Sequence, residues 1–219
     1  MLFFDDLPLN RLDNMTRKIG RPTVIEDSVY HDPYLNAAWG YPMVYRDEET
    51  GKWRMPYQAW VGDRSRRYPV LAESDDGIHW QARDTTGETD IPGRAYPHEL
   101  YYMPDFSEMA RCYLDPHADA SERLKATVVR HEENEEYSSS LWVSPNALNW
   151  RCVEGVHWQE PVPDPATFAF WNEQRESHVI VTRSARAGRR VAVMETKDWK
   201  QFTKPELALQ ADALDHPLT

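Results

Sequence analysis

The residues best suited to chemistry are two aspartates in segments that contain proline. Asp105 lies in MPDFSEMA and Asp164 lies in VPDPATFAF. Two carboxylates on opposite sides of a glycosidic bond can hydrolyse it, with retention at a separation of about 5–5.5 Å and inversion at roughly 6.5–9.5 Å. Asp105 and Asp164 are therefore the candidate catalytic residues. The alternative for each is a loop aspartate that forms a turn beside proline.

A second group of residues has the chemistry needed to hold a sugar. Aromatic rings stack on sugar rings, while amides, hydroxyls and arginine bind sugar hydroxyls. Arg183 lies in an apolar segment, where an unpaired buried charge would be costly, so we expect a carboxylate partner and Asp164 is a candidate. A purely structural ion pair remains the alternative. The candidate substrate-binding residues are Asn36, Trp39, Tyr41, Gln58, His131, Thr167 and Arg183.

Composition excludes several classes of function. The chain of 219 residues carries a net charge of -11, which argues against a nucleic-acid partner because phosphate binding needs a basic face. No apolar run has transmembrane length, and the first residues are acidic by position five, unlike a signal peptide, so we expect no membrane partner and a cytoplasmic protein. No histidine pair has metal-ligand spacing and there is no phosphate loop, so no metal or cofactor is expected. The two cysteines, Cys112 and Cys152, are expected to be free and buried, although one disulfide is possible.

A repeated stretch shows which elements position these residues. VLAESDDGIHW ends at Trp80 and SLWVSPNALNW ends at Trp150 with the same spacing, and the shorter VAVMETKDW ends at Trp199. Each copy has strand residues, a turn and a terminal tryptophan. We expect the three tryptophans to occupy equivalent positions and to pack between repeats rather than to bind ligand.

Each repeat is preceded by a hairpin. The first strand of the three hairpins ends at Asp47, Asp115 and Asn172, and a polar turn and a second strand follow. Each unit therefore reads as strands A, B and C with a fourth strand after the turn, which is typical of β-propeller blades. We predict an all-β fold of very low helix content, a single partial propeller over residues 1–219 with units at roughly 36–95, 96–160 and 161–210. A β-sandwich is the alternative.

Strand direction places the candidate site at one end of the propeller channel. Strand A is the innermost strand of a blade, and strand B runs antiparallel to it. The start of strand A and the end of strand B therefore lie at the same rim of the propeller. Asp105, Asp164 and Arg183 are expected to converge there, with Trp39 or Tyr41 nearby. The acids that end strand A lie at the opposite rim and are expected to be structural.

The segments LFFDD, ETGKWRMPYQAW, SDDGIHW, SERLK and FAFWNEQRE resemble the five-bladed propeller glycosidase superfamily of invertases, levansucrases, arabinanases and β-xylosidases, in particular a poorly characterised bacterial branch with an invertase-like N-terminal domain. The resemblance, to glycoside hydrolase families 32 and 43, implies five blades and hydrolysis of plant or microbial oligosaccharides. The Trp-Met-Asn-Asp-Pro-Asn-Gly and Arg-Asp-Pro motifs of this superfamily are absent. Strand A of the first unit starts NAAWGYP, where arabinanase-like enzymes carry a catalytic aspartate, and the nearest acid upstream is Asp32.

Three functional hypotheses follow. The first is a glycoside hydrolase with a carbohydrate substrate. The second is a non-catalytic propeller that binds a glycan or a protein, and the third is a sialidase-like enzyme, suggested by the similarity of SDDGIHW to the sialidase Asp-box. Three units cannot close a ring of the usual four to eight blades. We therefore expect a fragment of a longer protein, with blades shared between chains or unrecognised blades as the alternatives. Self-association through an exposed blade edge is a further expectation.

Overall fold

The computed structural model describes residues 18, 20–23, 30–35, 37–38, 42–60, 67–101, 107–131, 137–159, 167–184 and 190–209. These residues form three antiparallel sheets. The strands are β1 (Ala37–Ala38), β2 (Tyr45–Arg46), β3 (Trp53–Trp60), β4 (Arg67–Ser74), β5 (Gln81–Ala82), β6 (Ser107–Leu114), β7 (Leu124–His131), β8 (Tyr137–Ser144), β9 (Arg151–Trp158), β10 (Phe168–Asn172), β11 (Ser177–Ser184), β12 (Arg190–Thr196) and β13 (Glu206–Leu209).

Each sheet is a meander of four strand positions, which we call blade one (β1–β5), blade two (β6–β9) and blade three (β10–β13). In blade one, β1 and β2 both pair with β3, so they are two pieces of one interrupted strand A. The predicted all-β propeller blades are confirmed. The described residues include a single 3-10 turn, Ala120–Glu122, and no helix long and apolar enough to cross a membrane.

The hydrophobic core lies between neighbouring blades. Leu71 of blade one packs with Cys112, Ala126 and Val128 of blade two. On its other face, blade two packs with blade three through a second cluster that includes Leu141, Val143, Ile180, Met194 and Trp199. Blade two is the central blade and is covered on both faces, so its strand β7 is buried on both sides over residues 124 to 129.

The two cysteines are free, as predicted. Cys112 lies in this core, and burial raises the pKa of its thiol to about 12. Cys152 is exposed, so the expectation that both thiols are buried is wrong for Cys152.

The repeated turn is built on a Ser or Thr and, two residues later, an Asp or Asn. In the first copy, the Ser74 hydroxyl accepts the Gly77 N–H at 2.9 Å, and an Asp76 oxygen accepts two further N–H groups. Ser144 with Asn146 and Thr196 with Asp198 repeat this pattern. The turn is therefore specified by local side chain to backbone hydrogen bonds.

These hydrogen bonds correct the predicted register of the third copy. The residue after the Asp or Asn has a positive φ in each turn: 77° at Gly77, 64° at Ala147 and 60° at Trp199. Trp199 is thus equivalent to Gly77, and the residue equivalent to Trp80 and Trp150 is Phe202. The third turn has the same length as the others, and the expectation that Trp199 ends it is wrong.

The outer strand of blade one is interrupted by a loop that brings a histidine to strand β4. The Arg83 N–H donates to the Leu71 carbonyl, and the Leu71 N–H donates to the His98 carbonyl. Residues 84–97 therefore form an excursion between two pieces of the same strand position. The Arg94 guanidinium holds the base of this loop through the carbonyls of Pro97 and Glu99.

Candidate functional site

The structure confirms the strand directions that define the predicted rim. Ala37 pairs with Trp60 in blade one, Ser107 with Arg130 in blade two and Phe168 with Val181 in blade three. Each start of strand A therefore lies beside an end of strand B. Side chains from these points of the three blades are on one rim.

Most of the predicted site residues lie outside the described residues. These are the catalytic candidates Asp105 and Asp164 and the binding candidates Asn36, Trp39 and Tyr41. His131 ends β7 with its backbone paired to Tyr137, and its side chain is also outside the description. The roles proposed for these residues stay predictions.

Three predicted binding residues are described, and two of them are fully buried. The Thr167 hydroxyl lies 2.5 Å from the Thr182 hydroxyl, and the Thr167 carbonyl accepts the Thr127 hydroxyl at 2.8 Å, which ties blade three to blade two. Gln58 in blade one and Arg183 in blade three occupy equivalent positions near the ends of their strands. Arg183 is half-buried, whereas Gln58 and Thr167 present no surface to a ligand in this structure.

The structure adds to the rim a carboxylate that is not among the predicted site residues. Asp32 precedes β1, and its Oδ1 accepts the N–H groups of Tyr34 at 2.8 Å and Leu35 at 3.0 Å. Its Oδ2 accepts the Tyr57 hydroxyl and lies 2.9 Å from His98 Nε2. The carboxylate side chain has no exposed surface. Asp32 is thus an acid at the start of strand A in blade one.

Asp32 is held in its ionised form. Burial acts to raise the pKa of its carboxyl group, but hydrogen bonds from His98, Tyr57 and the Tyr34 N–H outweigh burial and lower the pKa below its usual range. The Tyr57 hydroxyl donates to Asp32 and lies 3.0 Å from the Tyr30 hydroxyl, which must then be the donor between the two tyrosines. Burial raises the pKa of Tyr30 to about 12, so this chain of hydroxyls is protonated at neutral pH.

His98 completes the cluster with an unused nitrogen. An ionised carboxylate only accepts hydrogen bonds, so Nε2 carries the proton toward Asp32. His98 is fully buried against the ring of Tyr34, with ring centres 4.9 Å apart. Its Nδ1 has no hydrogen-bond partner within the described part of the chain. The arrangement combines a fixed anion with a buried imidazole whose second nitrogen has no hydrogen-bond partner among the described residues.

One signal in the sequence could have identified Asp32. An Asp-Pro pair lies a few residues before strand A in blade one, at Asp32-Pro33, and another lies a few residues before strand A in blade three, at Asp164-Pro165. The recurrence of this pair shortly before two of the predicted A strands marks Asp32 as a candidate. The predicted strand A of the first unit starts at NAAWGYP and therefore leaves this pair outside the unit.

The acids at the opposite rim are structural, as predicted. Asp47 and Asp115 each accept a backbone N–H two residues ahead, as turn formers do. Both are also buried and paired with a cation of strand B: Asp47 with Arg54 at 2.9 Å and Asp115 with Lys125 at 2.9 Å. These ion pairs lie at the junctions between blades.

Comparison with known proteins supports the fold. No family model matches the chain, and no curated protein matches it. An N-acetylgalactosamine deacetylase from F. plautii, solved with blood group B trisaccharide, has a TM-score of 0.50 at 14% identity, over 82% of this chain and 56% of its own. At this identity the similarity concerns the fold alone.

Two further solved structures are similar at slightly lower TM-scores. A thermostable family-43 glycoside hydrolase has a TM-score of 0.49 and 14% identity, over 84% of this chain and 57% of its own. Exo-inulinase from Aspergillus awamori has a TM-score of 0.49 and 15% identity, over 83% of this chain and 38% of its own. The chain spans less than two thirds of the length of each of these proteins.

Proposed function

We propose that this chain belongs to a carbohydrate-active protein that hydrolyses glycosidic bonds of plant or microbial oligosaccharides at the rim of the propeller channel. The observation that carries the proposal is Asp32, an ionised carboxylate at the start of strand A in blade one. Candidate carboxylates Asp105 and Asp164 precede strand A in the other two blades. Glycoside hydrolysis uses carboxylates on both sides of the scissile bond.

The environment of Asp32 suits an electrostatic role better than a role as proton donor. Its lowered pKa keeps it charged, and Tyr57 and His98 shield it from solvent. A fixed negative charge in a poorly hydrated site stabilises the positive charge that develops on the sugar ring in the transition state. The general acid must then be another group, and we assign this role to Asp105 or Asp164.

The test is hydrolysis of nitrophenyl furanosides and pyranosides by the protein and by Asp105→Asn and Asp164→Asn. Loss of a general acid or base typically costs about 10²–10⁴-fold in rate, so at least one variant should lose that much without a change in thermal midpoint. Asp75→Asn, in an exposed turn at the opposite rim, is the matched control and should retain the full rate. Full activity in both rim variants would contradict the proposal.

A non-catalytic glycan-binding propeller is the second candidate, and one observation favours it. All the hydrogen bonds of Asp32 are made within the protein, and its side chain presents no surface. A carboxylate satisfied in this way could serve only to hold the rim together. Calorimetric titration with oligosaccharides that bind but are not cleaved would establish this alternative.

A further inference from the structure

The two junctions between blades are built from equivalent positions, but one of them contains a buried histidine. Between blades one and two, the buried cluster consists of Tyr45, Leu124 and Ala147. Between blades two and three, the same positions are held by Tyr113, His178 and Trp199, all of them buried. Leu124 and His178 correspond because each pairs with the residue directly before the Asp or Asn that ends strand A. The fold therefore accepts an apolar residue at this position, and the imidazole of His178 is an addition to the second junction.

The imidazole of His178 joins the two blades as a hydrogen-bond acceptor. Its Nδ1 lies 2.8 Å from the Tyr113 hydroxyl, and burial raises the pKa of Tyr113, so that hydroxyl keeps its proton. The other ring nitrogen, Nε2, lies 3.8 Å from Asp115 Oδ2. A nitrogen lone pair facing a carboxylate is repelled by it, so Nε2 carries the hydrogen and Nδ1 accepts the Tyr113 hydroxyl. This hydrogen bond connects β11 of blade three to β6 of blade two and requires a neutral imidazole.

The surroundings of His178 oppose a positive charge on its ring. The nearest carboxylate, Asp115 of β6, is already bonded to the Lys125 ammonium of β7 at 2.9 Å and to the His117 N–H at 3.0 Å. Trp171 of β10 and Trp199 of the third turn lie against the ring, with centres 4.9 and 5.0 Å away. The other charged groups on these elements are exposed to solvent, namely Glu173, Lys197, Asp198 and Lys200.

Burial is the largest influence on the protonation of His178. It lowers the pKa of the imidazole, and the charges of Lys125 and His117 lower it further, so that together they outweigh the attraction of Asp115. The pKa of the docked His178 is therefore below the ordinary histidine value of about 6.5.

Protonation of His178 removes the bond that the junction uses. With hydrogens on both ring nitrogens, Nδ1 can no longer accept the Tyr113 hydroxyl. When the two blades separate, the ring becomes hydrated and takes up a proton more readily than in the docked state. The docked state is therefore favoured above about pH 6.5, and this preference is lost as the pH falls from there through the lowered pKa of the docked histidine.

We propose that His178 is a pH-sensitive latch, which keeps blades two and three docked when it is neutral and loosens their junction when it is protonated. The junction between blades one and two has Leu124 at this position and does not respond in this way. At the rim, the Thr127 hydroxyl bonds to the Thr167 carbonyl, a contact without a titratable group. The loosening therefore begins at the opposite rim, beside Tyr113 and His178. This role does not depend on the hydrolysis proposed above.

The test compares the opening of the two junctions within one molecule. Cys112 is buried between blades one and two, and Ala169 is buried at the equivalent position between blades two and three, so Ala169→Cys supplies a matched thiol. Cys152→Ser removes the exposed thiol. A disulfide reagent modifies both remaining thiols, and peptide mass spectrometry gives the two rates. Their ratio cancels the effect of pH on thiol chemistry. Between pH 8 and pH 5 the rate at position 169 should rise at least about fivefold relative to Cys112, the equivalent of one net hydrogen bond.

Three variants in this background assign the response to one side chain. His178→Gln keeps an acceptor for the Tyr113 hydroxyl but does not titrate, and His178→Leu copies the first junction, so the ratio should stay constant with pH in both. His117→Gln is the matched control, because it removes the exposed imidazole of the same junction, and this variant should keep the response.

The titration of His178 in the unmodified chain provides a second measurement. Its ring signals in NMR spectra should titrate with a midpoint below about pH 6.5. A midpoint at or above that value would overturn the proposal. So would a ratio that does not change with pH in the His178 protein, or one that rises equally in His178→Gln. Equal acceleration of both thiols at acid pH would also overturn it, since this result means that the whole chain opens rather than one junction.

Discussion

Replacing Asp32 with asparagine tests whether one buried carboxylate organises the rim of blade one. The Asp32 Oδ1 accepts two backbone N–H groups, and an asparagine oxygen can take over this part. The asparagine NH₂ would then face the Tyr57 hydroxyl and His98 Nε2–H, two donors that need an acceptor. Asp32→Asn therefore removes two hydrogen bonds to a charged group and leaves buried donors opposed.

The expected loss follows from the burial of the site. Hydrogen bonds to charged groups contribute about 1.5–3 kcal/mol each, so two amount to roughly 3–6 kcal/mol of unfolding free energy. Solvent does not screen this interaction, because the side chains of Asp32 and His98 have no exposed surface. Tyr57→Phe removes a single bond to the carboxylate, and about half of that loss is expected. This smaller change keeps the test measurable if Asp32→Asn does not fold.

The assay is urea unfolding at a series of pH values. At pH 7 the midpoint should fall while the denaturant slope stays the same, which indicates a change in stability alone. The pKa of Asp32 is lower in the folded state than in the unfolded chain, so the folded state binds fewer protons. Its contribution is therefore present above about pH 4 and is lost as the pH falls through the folded pKa. The wild type and Asp32→Asn should converge at acid pH.

Two results would refute this reasoning. One is a loss below about 1 kcal/mol at pH 7, the size of an ordinary exposed substitution, which means that the carboxylate does not hold the cluster. The other is a difference between the two proteins that does not change with pH. Asp75→Asn, in an exposed turn, should shift the unfolding free energy by no more than about 0.5 kcal/mol and controls for the loss of an aspartate.

Two further predictions concern the turns and the blade junctions. Gly77→Ala should destabilise the fold by about 1–2 kcal/mol in urea unfolding, because φ is 77° and the new Cβ would lie 3.3 Å from the Trp53 ring. Gly20→Ala, which meets nothing within 4 Å, should have little effect, and equal losses in the two variants would contradict the explanation. Lys125→Met should cost about 3–5 kcal/mol because the buried Asp115 carboxylate loses its lysine partner. Adding Asp115→Asn should recover part of this loss in a double-mutant cycle, and strictly additive losses would show that the two side chains do not interact.

The order of the strands could be predicted from sequence because the turns are local. Ser74 and Asp76 form their turn with backbone groups at most three residues away, so their spacing carries the information. The predicted register of the third copy is wrong because it takes Trp199 as the equivalent of Trp80 and Trp150. Trp199 takes the left-handed position, which a bulky residue rarely occupies, and no pattern of residue types predicts this.

The candidate site was predicted less completely than the fold. The strand ends that form the rim could be predicted from strand direction, which depends only on the number of turns between strands. Asp32 was missed because its partners are distant in sequence: Tyr57 is 25 residues away and His98 is 66 residues away. Thr167 was expected to face a ligand, yet its hydroxyl contacts Thr182 within blade three and its carbonyl accepts the Thr127 hydroxyl of blade two. In the sequence, a polar loop residue that faces a ligand cannot be distinguished from one whose hydrogen bonds are all made within the protein.

The sequence by itself determined the all-β class, the repeated four-strand unit and the residues that end each strand A, because hairpins and side-chain turns depend on neighbours a few residues apart. Only the tertiary structure decided that Asp32 is buried and ionised. It also decided that Asp47 and Asp115 are ion-paired at blade junctions, and that Phe170 is exposed where Tyr45 and Tyr113 are covered. Burial and pKa depend on which blade packs against a given face, and the spacing of residues within one blade does not contain that information.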